Sequence, residues 1–250
     1  MLRDINLRWP ENNTAPEWFW RHGSAEYLFY KALRTLKLNT PGIVKINVVC
    51  ASHDQWDGQI FDGVTTVHVA AHWQDPQTLP VQALNQFFLT LMKRGVAVLC
   101  EALKVPATGL DAIEQDVAER LPNYAIPLGK KAVPLSAGGG SLRLMVQPSA
   151  SLDFCRVVSV LTQGRRVVHE QDICTTYPNP EIAIDNFVSL VIESGTRAQA
   201  IFRTAGQPDQ RVFGRLNFDA SECPGVTRTV LDQAGPGFAQ NLAFDWDAGG

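Results

Sequence analysis

The hydrophobic period switches from helical to alternating midway along this chain, and that switch constrains the fold more than any single motif. Between residues 80 and 121, apolar side chains recur three and four apart: Leu84, Phe87, Phe88, Leu91 and Met92, then Leu110, Ile113, Val117 and Leu121. Such spacing gives each of two helices one apolar stripe. Pro80 suits a first helical turn, where a missing N–H costs nothing. Thr108 and Asp111 suit the start of the second helix, and Pro122 stops it. Whether 96–103 continues the first helix past Gly95 or turns into a strand is left open by periodicity. After residue 140 the period is two. Stretches 142–147, 154–162, 166–172, 198–204, 211–218 and 238–246 predict strands, and Gln163-Gly164 predicts a hairpin turn between two of them. Segment 183–193 fits either a helix or a strand, with helix the preferred reading.

The first eighty residues mix both periods. Ile5, Leu7 and Trp9 alternate with Asn6 and Arg8, which predicts a short strand stopped by Pro10. From 16 to 38 the pattern is helical, with Leu28, Ala32 and Leu36 on one side and Lys31, Arg34 and Lys37 on another. Residues 43–50 predict a buried strand and 65–73 another, as a hairpin or as neighbours. The class is therefore α+β: helices and strands in the first half, a largely antiparallel β-sheet in the second. Residues 1–125 and 126–250 form two subdomains, or one continuous domain with a soft boundary near 125–140.

With 250 residues, 45% of them apolar, the chain has enough material for a core without disulfides or a structural metal. The halves carry 11 basic against 13 acidic residues and 11 against 12. Neither has the excess of Lys and Arg that phosphate neutralisation requires, so nucleic acid is not an expected partner. Cys50, Cys100, Cys155, Cys174 and Cys223 are odd in number, form no C-x-x-C pair, and mostly sit in apolar runs. Reduced, buried thiols in a reducing compartment are expected. The opening MLRDINLRWPENN lacks an apolar signal core, and no stretch reaches 18 apolar residues. The expected location is the cytoplasm, with no membrane, cofactor or metal.

The most chemically suggestive segment runs from Ser52 to Gly58. Read as catalytic, Cys50 is a nucleophile, His53 its base and Asp57 the orienting group of a hydrolase or transferase. Read as structural, the segment is a polar inter-strand loop with a capping Asp and a turn Gly. His68 and His72 share a strand face about 13 Å apart, too far for one ion. His169 and Glu170 are adjacent and face opposite ways on a strand. The glycines at 138–140 follow Lys130 and Lys131, the reverse of a phosphate-binding loop, so a connector is the better reading. Trp9, Trp18, Phe19, Trp20, Tyr27, Phe29 and Tyr30 crowd the first thirty residues. Most belong in a core, while exposed Trp near Arg is the make-up of a binding hot spot.

The opening strand INLRWP, the aromatic helix EYLFYKALRTLK, the strand TVHVAAHW and the late hairpin FCRVVSVLTQGRRVVHEQ together resemble bacterial immunity proteins of the polymorphic-toxin type. The resemblance is one of architecture. It implies a non-catalytic binding protein that occludes the active site of a cognate toxin, as a monomer or homodimer. Partner-binding residues expected on this reading are Trp18, Trp20, Arg21, Asp54, Trp56, Asp57, Asp62 and Asp75, the four Asp forming an acidic patch. A catalytic role for Cys50, His53 and Asp57 is the alternative, and a structural subunit of a larger assembly, favoured by the Gly- and Pro-interrupted second half, is the third.

Overall fold

Alternating apolar and polar residues produce three parallel strands at the start of the chain: β1 (Asp4–Arg8), β2 (Lys45–Ala51) and, after the two-residue β3 (Gln55–Trp56), β4 (Val64–Ala70). The computed structural model describes residues 1–10, 15–71, 79–134, 140–194, 197–204, 207–218, 226–232 and 244–245. Within them the fold is α+β. The chain forms two compact units, Met1–Pro122 with Ala150–Leu152, and Asn123–Ser149 with Asp153–Gly250.

In the first unit the strand order is β1-β2-β4-β3. β2 and β4 are neighbours as expected, but parallel rather than a hairpin, because β3 is the strand that turns back on β4. The rows Asp4–Lys45–Val64 and Arg8–Val49–His68 mark the two ends of the parallel set. Ile5, Leu7, Ile46, Val48, Cys50, Val67 and Val69 point to the buried face. Helices α1 (Gly23–Leu33) and α2 (Val81–Ala102) pack on these strands, and α3 (Leu110–Arg120) packs on both helices. The helix expected over 16–38 is a 3-10 turn (Glu17–His22), α1, and a second 3-10 turn (Arg34–Leu36). Glu26 Oε2 accepts from the Leu7 amide at 2.6 Å and ties α1 to β1.

Gly95 does not interrupt α2. A Cβ there would lie 2.5 Å from Val48 Cγ2, so the missing side chain is what lets the helix approach the sheet. α3 starts after Gly109 with no side-chain cap, so neither Thr108 nor Asp111 closes its N-terminus.

Among the described residues, every strand pair of the second unit is antiparallel. One sheet has the order β13-β8-β7-β6-β5, from β5 (Ile126–Pro134), β6 (Gly140–Pro148), β7 (Cys155–Gln163), β8 (Arg166–Thr176) and β13 (Phe244–Asp245). The other has the order β12-β11-β10-β9, from β9 (Phe187–Ser194), β10 (Arg197–Thr204), β11 (Gln207–Phe218) and β12 (Val226–Asp232). The 163–164 turn joins β7 to β8 as expected. The segment read as one helix over 183–193 divides. Asn179 Oδ1 accepts from the Glu181 amide and starts α4 (Pro180–Asn186), and the apolar run that follows is β9. Of the strand expected over 238–246, only Phe244–Asp245 falls in the described residues. No helix among the described residues is long and apolar enough to cross a membrane.

Candidate functional site

The two ends of the parallel strands differ in what they present. At the C-terminal end lies the segment that reads as catalytic, and the structure does not assemble it. Cys50 is on the buried face of β2, where loss of water pushes its thiol up to about 12, so it is a neutral thiol at physiological pH. His53 is exposed and engaged elsewhere: its Nε2 meets Gln55 Oε1 at 2.9 Å and its Nδ1 meets Ser52 Oγ at 3.2 Å. Asp57 Oδ1 accepts from the Gln59 amide at 2.9 Å in a local turn. A buried thiol, an exposed ring bonded to its neighbours and a turn-forming carboxylate make no relay. The hydrolase or transferase reading of Cys50, His53 and Asp57 is not supported by their geometry.

The remaining polar and aromatic groups at this end are also turned inward. Asp54 accepts from the Ala70 amide at 2.7 Å and from Arg94 Nε at 2.7 Å, pinning the loop to β4 and α2. Trp18, expected at an interface, is only 5% exposed. It lies edge-on to Trp9 and Phe19 and stacked on Phe88, as a core residue. Trp20 is 61% exposed and stays a surface residue, with the half-buried Arg21 next to it.

The N-terminal end is built differently. After Trp56, whose Nε1 donates to Thr65 Oγ1 at 2.7 Å, the chain runs back alongside β4 and closes in a tight turn. The Phe61 amide donates to Val64 O at 2.9 Å, and the Val64 amide returns to Phe61 O at 2.8 Å. Asp62 (φ 48°) and Gly63 (φ 78°) are the central pair, both in the left-handed region that a type I′ turn requires. Gly63 O accepts from the amides of Val44 and Lys45 at 2.8 and 3.1 Å. A Cβ on Gly63 would lie 2.9 Å from Val44 Cγ2, so this glycine is required twice over, by its φ and by its neighbour. The turn holds Phe61 80% exposed, with Ile60 and Val44 exposed beside it. Three exposed apolar side chains therefore lie on or beside a backbone fixed by hydrogen bonds, with Asp62 in the turn and Lys45 paired to Asp4 at 3.1 Å next to Val44.

Thus the expected acidic patch is split. Asp54 bonds Ala70 and Asp62 sits beside Val64, six residues away along β4, or about 20 Å. Asp57 is committed to the loop's own Gln59 amide and Trp56 to Thr65 on β4, and Asp75 lies outside the described residues, as does His72. Val44, Ile60 and Phe61 were not singled out from sequence. The signal was there: Asp62-Gly63 between Ile60-Phe61 and Val64 is a hairpin turn with apolar flanks. In the second unit, Lys130 and Lys131 lie where the β5–β6 register slips between Leu128 and Val133, on a sheet edge and not in a phosphate loop. Glu170 Oε1 accepts from Gln147 Nε2 at 3.1 Å. Among the described residues no group of three His, Cys, Asp or Glu is placed to hold a metal ion. Comparison with protein-family models, curated proteins and solved structures gives no match.

Proposed function

We propose that this chain is a non-catalytic binding protein whose anchor is Phe61, and that its partner is another protein. The observation that carries this reading is the exposure of Phe61, Ile60 and Val44 on a turn that is already ordered. Aromatic anchors dominate interface energetics, and a turn rigid before binding loses little entropy on docking. Contiguous apolar side chains in water are uncommon on a surface with no partner. Asp62 at the rim favours a basic counterpart, and the resemblance to immunity proteins makes that counterpart a toxin whose cleft is occluded.

The test is to co-express the chain with the product of the adjacent gene and measure the complex by calorimetry. Phe61→Ala should weaken binding by roughly 30-fold or more, the scale of a hot-spot truncation, with an unchanged thermal midpoint. Retention of full affinity by Phe61→Ala and Ile60→Ala together would refute the anchor. A purified chain that forms large homo-oligomers through this turn would favour a subunit of an assembly instead.

A further inference from the structure

A strongly charged face of the first unit begins beside Val44. The Arg3 amide donates to Val44 O at 2.8 Å, and the Arg3 carbonyl accepts from Arg34 Nε at 2.8 Å. The Leu2 amide donates to Leu38 O at 3.2 Å, which sets Lys37 against the same stretch of chain. Lys31 lies three residues before Arg34, a spacing at which side chains on a helix are neighbours. Both are held over one ring. Lys31 Nζ sits 5.2 Å and Arg34 Cζ 5.0 Å from the centroid of Tyr30, and Lys31 Nζ lies 5.1 Å from that of Tyr27. The two tyrosines are buried, so rings fixed by the core fix the cations above them. Arg3, Lys31, Arg34 and Lys37 are all exposed, and among the described residues none of them makes an ion pair. Lys45, Lys93, Arg94 and Arg120 of the same unit each have a carboxylate. Like charges gathered without a counter-charge repel one another, and a bound anion removes that cost.

The surroundings of this face select among polyanions. Arg34 gives Nε to Arg3 O and presents its two terminal nitrogens, a fork that matches a carboxylate or a phosphate. Single-stranded nucleic acid needs open aromatic faces on which bases stack, and Tyr27 and Tyr30 are taken by the cations and the core. A long polyanion also meets the net charge of −3 of the whole chain. An anionic bilayer would be met by Asp62 in the turn that exposes Phe61. A short run of carboxylates encounters none of these obstacles. The charge of the surface changes sign, from Asp62 in the turn to cations beyond Val44, and this fixes how a partner must lie.

We propose that the face formed by Arg3, Lys31, Arg34 and Lys37 receives an acidic segment, a run of Asp or Glu, of the protein partner, which rests on the reading of Phe61 as a protein-binding anchor. The full chain would be titrated with a labelled oligoglutamate peptide and followed by fluorescence anisotropy, at low and at about physiological salt. Binding should weaken as salt rises, and Lys31→Glu with Arg34→Glu should weaken it roughly ten-fold or more. Lys37→Asn should weaken it roughly two-fold. Asn suits the left-handed φ of 52° at that position, so this variant serves should the double reversal fail to fold. Arg165→Glu with Arg166→Glu, a charge-matched control beside the β7–β8 turn, should leave peptide binding unchanged. The proposal is overturned by no peptide binding, by wild-type affinity in the Lys31, Arg34 and Lys37 variants, or by an equal loss in the control. Tighter binding to oligothymidylate or to phosphatidylserine vesicles overturns it as well. Phe61→Ala separates the two readings, since it should lose the partner and keep the peptide. Full partner affinity in Phe61→Ala would sink the anchor and leave the cationic face standing. Peptide affinity indifferent to Lys31 and Arg34, with the partner lost in Phe61→Ala, would do the reverse.

Discussion

The two edges of the parallel sheet use the same kinds of residue in opposite ways. At the C-terminal edge, Asp54, Arg94, His53 and Trp18 are bonded or packed into the protein itself. At the N-terminal edge, backbone bonds alone hold the turn, and Phe61 and Ile60 are left in water. The edge richest in reactive-looking side chains is thus the structural one, and the edge that reads as an ordinary loop holds the surface that needs a partner. Polar groups attract attention in a sequence because they can react. In a fold they are first required to satisfy one another.

The largest expected effect tests that contrast directly. Trp18→Ala removes a ring packed against Trp9, Phe19 and Phe88, and should cost about 3–5 kcal/mol in urea unfolding. Phe61→Ala should change stability by no more than about 0.5 kcal/mol, the usual range for a surface position. The two should exchange ranks in partner binding. A Trp18→Ala protein of normal stability but lost binding would reverse the assignment of the edges.

Cys50 sharpens the same contrast through pH. Burial holds its thiol near 12 in the folded protein, whereas the unfolded chain releases that proton near the ordinary thiol value of about 8.5. Between these values the native state binds more protons than the unfolded state, so stability falls as pH rises. The slope contributed is up to about 1.4 kcal/mol per pH unit. Cys50→Val should unfold with a correspondingly shallower alkaline loss than the parent in guanidine titrations. Equal slopes in the two proteins would mean that Cys50 ionises in the native state, as a nucleophile must.

At the other edge, Gly63→Ala forces a Cβ into the left-handed region and against Val44. It should cost roughly 1–2 kcal/mol. Because Val44 must move, partner affinity should fall as well, although Gly63 offers no side chain to any partner. Loss of stability with full affinity would show that Val44 is not part of the surface.

How much of this was legible depended on whether the signal was local. The stripes of α2 and α3 come from each helix burying one face, and their residues appear at the expected spacing. The continuation of α2 through Gly95 was undecidable, because its reason is Val48 on a strand 47 residues earlier. β5 was missed since Pro127, Gly129 and the Lys130-Lys131 bulge break the alternation a strand should show. β12 was missed too; its TRT core has only a weak apolar pattern. Strand direction is invisible to periodicity, so β2 and β4 could be read as neighbours but not as parallel. Among the expected partner-binding residues, Trp20 is a large exposed aromatic, whereas Trp18 is buried by rings from Phe87 and Phe88 some seventy residues later. Phe61 was overlooked although its cue, Asp62-Gly63, was local.

The smallest expected effect concerns how firmly the C-terminal edge is closed. Asp54 and Arg94 pair at 2.7 Å, but both side chains are partly exposed. A double-mutant cycle with Asp54→Asn and Arg94→Gln should therefore give a coupling of only about 0.5–1 kcal/mol, shrinking as salt is added. Asp54→Ala should cost more than Arg94→Ala, because the Ala70 amide bond to Asp54, at 2.7 Å, is closer than the bond from Arg94 to the Ala70 carbonyl, at 3.3 Å. None of these changes should alter partner binding, since the loop they hold lies about 20 Å from Phe61 along β4. If Arg94→Gln weakened the complex as much as Phe61→Ala does, the pinned loop would be part of the docking surface, and the two edges would differ in appearance only.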